Sequence, residues 1–431
     1  MLRVVAVPML PRAPAGGGGG GGGAPDPMLL PAATDQALDV TAYTALDVPN
    51  MAAGASYLDP VTGITIVKLT TPTAPISGTA TEMCGVDYAS GGCRIGRPTG
   101  GVYPITAMRS PDGTGDFHVI TFNPSTHAVG YRCAAPGQSA REISRAMSFV
   151  TPNVMYAFSG SPLNLRKYDI SGGSFSEITG GVWPKDWGTS HLHGATRFVW
   201  LQATTDDRYF AAQAGDGGPW VVVWDSQTDT FYERSFSTNE FKMSKDSPFI
   251  HNTTTFDVWN AVADTVATIS GMSGMYPSHS DSARQYVFGS DVNDVHRGLW
   301  YADLESASPA RVSPNETYYI GNLYTSGAWV DQASDTTQWV TQAYQTFDGA
   351  TNHGNEKMEP GSIGMIRLDN SGGLRLLCHT YNLGDVNVQS DYYTNSLWPN
   401  MAPDGKFCLF KSNMNNKGGF ASMFAAILPT S

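Results

Sequence analysis

The sequence predicts an all-β chain folded as a single β-propeller. One kind of turn recurs ahead of alternating strands, a second kind is interleaved with it, and no long amphipathic helix interrupts them. The first kind is clearest in LWPNMAPDGKFCLF, Leu397–Phe410. There an apolar approach meets Ala402-Pro403-Asp404-Gly405 and an alternating strand follows. Proline at the second turn position fixes φ at about −65°, and Asp and Gly complete the corner. Weaker copies stand at Ser110-Pro111-Asp112-Gly113, Thr151-Pro152-Asn153, Thr204-Thr205-Asp206-Asp207, Ser280-Asp281-Ser282-Ala283 and Ser334-Asp335-Thr336-Thr337.

In the second kind, a strand runs into an Asp or Asn, then a Gly/Ser/Thr turn, then another strand. Copies lie at Asn123, Asp169, Asp225, Asp303 and Asp369, and a displaced one, YLDPVTGITIVKLT around Asp59, precedes all of the first kind. One hairpin of each kind makes a four-stranded blade, and repetition at this period marks a propeller. The count is six blades. The stretch from Arg234 to Ser280, with FIHNTTTFDVWNAVADTVATI, is either a degenerate seventh or an insertion. The displaced copy is expected to bring Ile64–Leu69 into the same sheet as Phe407–Phe410, closing the ring with an N-terminal strand and removing a free edge. On this reading residues 56–431 are the propeller, 36–55 a lead-in, and 1–35 an extended Pro- and Gly-rich arm.

Length alone would allow the 431 residues two or three domains, but one ring takes up almost all of them. A net charge of −12 with no basic run argues against nucleic acid as a partner. No apolar stretch approaches the roughly 18–20 residues of a membrane span. The run Val4–Val7 ends at Pro8, too short for the core of a signal peptide. The cysteines, Cys84, Cys93, Cys133, Cys378 and Cys408, show no CxxC or Cys/His spacing, hence no disulfide framework or zinc site. Cys408 alternates with Phe407 and Leu409 as core packing. Cys84 and Cys93 are left open between a bridge and free thiols.

Candidate sites are few. His191-Leu192-His193 would place two imidazoles on one face of a strand, and His279 offers a third, an arrangement that suits a metal. Hydrogen bonding within the blade approaches is the favoured role for these histidines, and no metal or other cofactor is expected. Asp291, Asn293 and Asp294 lack the glycine and distal glutamate of a calcium loop. No GxSxG nucleophile signature occurs. Trp183 and Trp187, in the turn-rich GGVWPKDWGTS, are candidates for stacking on a sugar or packing on a neighbouring subunit.

The SPDG-type turn with its alternating strand, together with YLDPVTGITIVKLT, resembles the TolB-like propellers and, more closely, the oligogalacturonate lyase branch. The resemblance runs roughly from Ser56 to Ser431. It implies a propeller with a divalent metal on its axis, held by histidines in the approach to such turns and a nearby Gln. In the last approach Gln389 is present, but Trp398 stands where the family's His would precede Pro399.

Two functions follow. The first is a non-catalytic structural or adhesive propeller in a larger assembly: a phage virion protein of tail, fibre or capsid decoration, virion-borne or extracellular. It would be oligomeric there, with other subunits and surface polysaccharide as its partners. Its arm, carrying Gly16–Gly23, would dock through Leu2, Val4, Val5, Met9, Leu10, Met28, Leu29 and Leu30. Ordering each glycine costs about 1–2 kcal/mol of backbone entropy. Burying each of those side chains on a partner would offset that by about 1.5–3 kcal/mol. The alternative is a metal-dependent polysaccharide lyase of the oligogalacturonate type. The arm reading predicts that deleting residues 1–33 leaves a folded ring that no longer joins its assembly. A truncated ring that still assembles, judged by sedimentation, would reduce the arm to a tether.

Overall fold

In the computed structural model the described residues are 30–31, 45–75, 83–84, 94–109, 116–137, 145–178, 186–215, 217–236, 238, 241–270, 281–282, 286–291, 298–311, 325–327, 339–344, 362–367, 375–380, 399–414 and 422–429. They are strands and turns, apart from single 3-10 turns at Val48–Asn50 and Thr189–His191.

Strands β1 (Leu30–Pro31), β2 (Ser56–Leu58) and β3 (Thr65–Lys68) come first and join sheets formed later in the chain. The first sheet is β4 (Met83–Cys84), β5 (Tyr103–Arg109), β6 (Asp116–Phe122) and β7 (Val129–Ala134). The second is β8 (Arg145–Met147), β9 (Val154–Ser159), β10 (Asn164–Asp169) and β11 (Ser176–Glu177). The third is β12 (Phe198–Ala203), β13 (Tyr209–Ala214), β14 (Trp220–Asp225) and β15 (Thr230–Ser235). The fourth is β16 (Phe241–Met243), β17 (Phe249–Asn252), β18 (Asp257–Asn260) and β19 (Thr265–Thr268). The fifth is β20 (Asp281–Ser282), β21 (Tyr286–Asp291), β22 (Gly298–Asp303) and β23 (Pro309–Arg311). The sixth is β24 (Thr325–Gly327), β25 (Trp339–Tyr344), β26 (Ser362–Arg367) and β27 (Arg375–His379), with β1 added outside β27. The last is β28 (Asn400–Met401), β29 (Phe407–Ser412) and β30 (Ser422–Ile427), extended by β3 and β2.

Every pairing is antiparallel, and successive sheets touch in a cycle. Strand β12 lies beside β8 and β16, β20 beside β16 and β24, β24 beside β28, and β30 beside β4. Between the first and second sheets the Arg97 N–H donates to the Ser148 carbonyl at 3.1 Å. This is the arrangement of a β-propeller. Strands near the axis, such as β12 and β13, are buried on both faces and read as unbroken apolar runs. Outermost strands such as β19 are exposed.

The described strands fall into seven sheets where the sequence reading counts six, and β16–β19 supply the additional one. Their turns repeat the other sheets' chemistry under different letters. Trp224 Nε1 donates to Asp229 Oδ1 at 3.2 Å across the turn after β14, and Trp259 Nε1 donates to Asp264 Oδ1 at 3.1 Å across the turn after β18. WNAVAD hides the second kind of unit only because Asn260 replaces Asp and alanines replace the polar turn residues. A second displacement concerns the first sheet. Ser110–Gly113 lies outside the described residues, between β5 and β6. The corner matching Gly405 and Asp207 is instead Pro98-Thr99-Gly100-Gly101, where Gly101 (φ 80) precedes Val102-Tyr103 as Gly405 (φ 73) precedes Lys406-Phe407.

Closure of the last sheet is as expected from sequence. Ile66 pairs with Ala426, Val67 with Ala425 and Lys68 with Phe424, so β3 shares a sheet with β29. Phe407 packs edge-on to Tyr103 and Phe122 of the first sheet, at 5.0 and 5.3 Å between centroids. Tyr103 OH donates to Asp404 Oδ2 at 2.5 Å across the same joint. At the end of the arm, Leu30 pairs with Leu376 and Pro31 with Arg375 of the sixth sheet.

Asp59 ties the displaced hairpin to the sixth sheet. Its Oδ1 accepts the Val61 and Thr62 N–H groups at 2.9 Å each, and its Oδ2 accepts the His379 N–H at 2.8 Å. Burial alone would raise its pKa, but the hydrogen bonds and charge of His379 and the Thr62 N–H outweigh that and pull it to about 2. A depressed carboxylate stabilises the fold above its unfolded pKa, and the contribution disappears as pH falls through about 2. Asp59→Asn should therefore cost on the order of 2 kcal/mol near neutral pH and much less below pH 2. Urea melts at both pH values check this. An equal loss at both would assign the effect to shape rather than charge.

Candidate functional site

The crossing from β11 to β12 carries four of the residues singled out in the sequence, of which Trp187, His191 and His193 are described. His191 ends the 3-10 turn Thr189–His191 rather than lying on a strand, and His193 follows it with φ 49. The two imidazoles meet at one carboxylate, Glu233 of β15. His191 Nδ1 bonds its Oε1, and His193 Nε2 lies 2.7 Å from its Oε2. Phe231 and Glu233 project from the same face of β15, and Trp220 shares that face because it pairs with Ser235. His191 lies flat on Phe231 and His193 flat on Trp220, each at 4.1 Å between centroids. The three polar side chains are 19–24% exposed, so the cluster faces solvent at the rim. It can hydrogen-bond hydroxyl groups and present an aromatic edge. Nothing in the sequence announces Glu233, because its partners sit some forty residues earlier on a crossing.

Trp187 is placed differently from expectation. It is fully buried between the second and third sheets, edge-on to Phe158, Phe198, Trp224 and Phe231, and its backbone N–H donates to Asn164 Oδ1 at 2.9 Å. A crossing between two sheets must fill the wedge they leave, and an indole does so. It is therefore not a surface for ligand or subunit. Trp183, His279, Gln389, Trp398 and the arm residues Leu2, Val4, Val5, Met9, Leu10, Met28 and Leu29 lie outside the described residues, as does Cys93.

The metal implied by the family resemblance would need converging donors near the axis. Strand β15, which holds the His191–Glu233–His193 cluster, is the outermost of its sheet, while β12 is the innermost. Gln202, on β12, is occupied: its Nε2 donates to the Phe241 carbonyl at 2.8 Å and its Oε1 accepts the Met243 N–H at 2.9 Å. His251 is wholly buried, and burial, helped by Lys242, pulls its pKa to about 3, which keeps it neutral. His379 is buried against Asp59. Among the described residues no group of three His, Cys, Asp or Glu is arranged to hold a metal ion. The described donors do not fit the metal.

Trp187→Ala should lower stability by about 3–5 kcal/mol, as for other buried aromatic truncations. Glu233→Gln, at a partly exposed site, should cost less than about 1 kcal/mol. Denaturant midpoints measure both. A Trp187→Ala protein as stable as the parent would contradict the buried placement.

No protein-family model matches the sequence, and no curated protein matches it either. Solved structures do. An oligogalacturonate lyase from Vibrio parahaemolyticus is similar with a TM-score of 0.56 at 13% identity, over 87% of this chain and 96% of that one. An oligogalacturonate lyase in complex with manganese is similar with a TM-score of 0.53 at 11% identity, over the same shares of the two chains. At such identities the likeness is one of fold, and it spans the ring. The chain shares the β-propeller fold of the oligogalacturonate lyases that its turns resemble in sequence.

Proposed function

We propose that this chain is a polysaccharide-binding β-propeller of seven blades, closed by β3, whose ligands belong to the acidic class named by its fold neighbours. The observation that carries the reading is the likeness to oligogalacturonate lyase over 96% of that protein's length. The partly exposed rim cluster of His191, His193 and Glu233, backed by Phe231 and Trp220, supports it. It combines hydrogen-bonding groups with aromatic surface, the mixture that sugar sites use.

Binding is favoured over elimination because of what the described residues assemble. Elimination beside a uronate carboxylate needs a base at the adjacent C–H and a cation to take up the charge that develops on the carboxylate. His191 and His193 are turned to Glu233, His118, His251 and His379 are buried, His127 sits in the turn after β6, and among the described residues the donor set for a metal does not come together. Nothing among the described residues speaks for a virion or assembly role, and Leu30-Pro31 pairs within the chain.

The test is calorimetric titration of the full chain with an oligogalacturonate and with a neutral oligosaccharide of equal length. Unsaturated product is followed in parallel by ultraviolet absorbance. Saturable binding of the acidic ligand without product is expected. Product that grows on adding a divalent cation would move the chain to the lyase alternative. No binding of either sugar would overturn the reading.

A further inference from the structure

One buried cation is built into the sheet that closes the ring, and it faces a cavity. Lys68, the last residue of β3, is 2% exposed, although it sits at the end of a strand that could have carried it to solvent. Its Nζ donates to the Val48 carbonyl at 3.0 Å and the Pro49 carbonyl at 2.8 Å. Both acceptors are neutral, and an ammonium has three N–H groups. Among the described residues no carboxylate reaches ion-pair distance of it. Burial lowers its pKa, and Asp47, already accepting from Asn50 Nδ2 at 2.8 Å, only partly opposes this.

The cavity beside Lys68 has about 80 Å³ of free volume and is walled by Pro49, Pro72, Ser412, Ser422 and Phe424 among others. Pairing of Lys68 with Phe424, and of Ser412 with Ser422, sets the lysine and the two serines around one end of the sheet. The space is large enough for several waters, and so for a carboxylate group. The cavity is lined by the end of β29 and the start of β30. The crossing that carries His191 and His193 reaches the corresponding rim of its own sheet, since β12 begins opposite the end of β13.

We propose that this pocket receives the carboxylate of a uronate residue, with Lys68 as its counter-charge and the sugar ring left outside near Pro72. A buried ammonium bonded only to neutral groups is costly, and a bound anion removes that cost. The choice of a uronate rests on the polysaccharide reading above; the anion-binding pocket rests on Lys68 and the cavity.

The full chain would be titrated with galacturonate, glucose and acetate, as the parent and as Lys68→Met and Pro72→Trp variants. Galacturonate should bind the parent and glucose should not. Affinity should fall with added sodium chloride and drop at least tenfold in Lys68→Met. Pro72→Trp leaves the lysine in place and narrows the mouth, so it should produce the same loss and serves if Lys68→Met fails to fold. Acetate binding without galacturonate binding would overturn the uronate assignment. Galacturonate bound equally well by the parent and both variants, or neither galacturonate nor acetate bound by the parent, would overturn the pocket. Oligogalacturonate bound by both variants as by the parent would do so too, while leaving the proposed function standing.

Discussion

The fold depends on one turn geometry used over and over. An Asp or Asn accepts backbone N–H groups two or three residues ahead, and the residue four places on takes a left-handed backbone. Asp59 is followed by Gly63 (φ 71), Asn123 by His127 (φ 60), Asp169 by Gly173 (φ 76) and Asp225 by Asp229 (φ 56). Asn260 is followed by Asp264 (φ 50) and Asp303 by Ala307 (φ 51). The side-chain oxygens lie 2.8–3.2 Å from those N–H groups. A tight turn closed by a left-handed residue fixes the register of both flanking strands, and register decides which face is buried. Asn252 and Phe256 (φ 63) repeat the device on the opposite rim of the fourth sheet. Left-handed backbone at Phe or Ala is unfavourable by itself, so surrounding pairing holds it there.

The propeller was legible in the sequence because this turn has a chemical signature. Where the signature weakens, reading fails in a definite way. The sheet β16–β19 was obscured because Ala261, Val262 and Ala263 replace the Ser, Gly and Thr of the other copies. Gly100-Gly101 supplies the required backbone in the first sheet without the Asp, and the stronger-looking Ser110-Pro111-Asp112-Gly113 drew the assignment away from it. The site was far less legible. Burial of Trp187 and convergence of His191 and His193 on Glu233 depend on which crossing lies over which outer hairpin. That is a property of neighbouring sheets rather than of any local pattern. Lys68 gave no signal at all, since a lysine ending a strand ordinarily reaches water.

Joints between sheets use hydroxyl groups against the aspartates of the first kind of turn. Tyr156 OH and Ser148 Oγ donate to Asp207 Oδ2 at 2.7 and 2.5 Å, and Tyr103 donates to Asp404. Burial pushes both tyrosines well up, and their carboxylate partners add to the shift, so they stay neutral donors. Asp207 and Asp59 behave oppositely on titration. Burial raises the pKa of Asp207, and the Ser148 and Tyr156 bonds only partly reverse it. A raised carboxyl favours the fold while protonated and loses that contribution as pH climbs through the folded pKa. Asp59 does the reverse. Acid therefore weakens the closing hairpin while favouring the joint at Asp207.

Such pairing between sheets also bears on where a ligand can act. The family resemblance points to the axis, yet a polar side chain there can be spent on the neighbouring sheet. Gln202 is the clearest case, with both ends of its amide bound to β16. Among the described residues, two groups remain open to a ligand: the Glu233 cluster over the third sheet and the Lys68 cavity in the closing sheet. The chain carries a net charge of −12, so the whole molecule repels an acidic polysaccharide. Screening shortens that repulsion to about 8–10 Å at physiological salt, whereas a buried ammonium is screened far less. A desolvated cation at short range can therefore outweigh a diffuse negative surface. On the proposed reading, recognition would then depend on a carboxylate entering the Lys68 pocket, rather than on charge spread over a face.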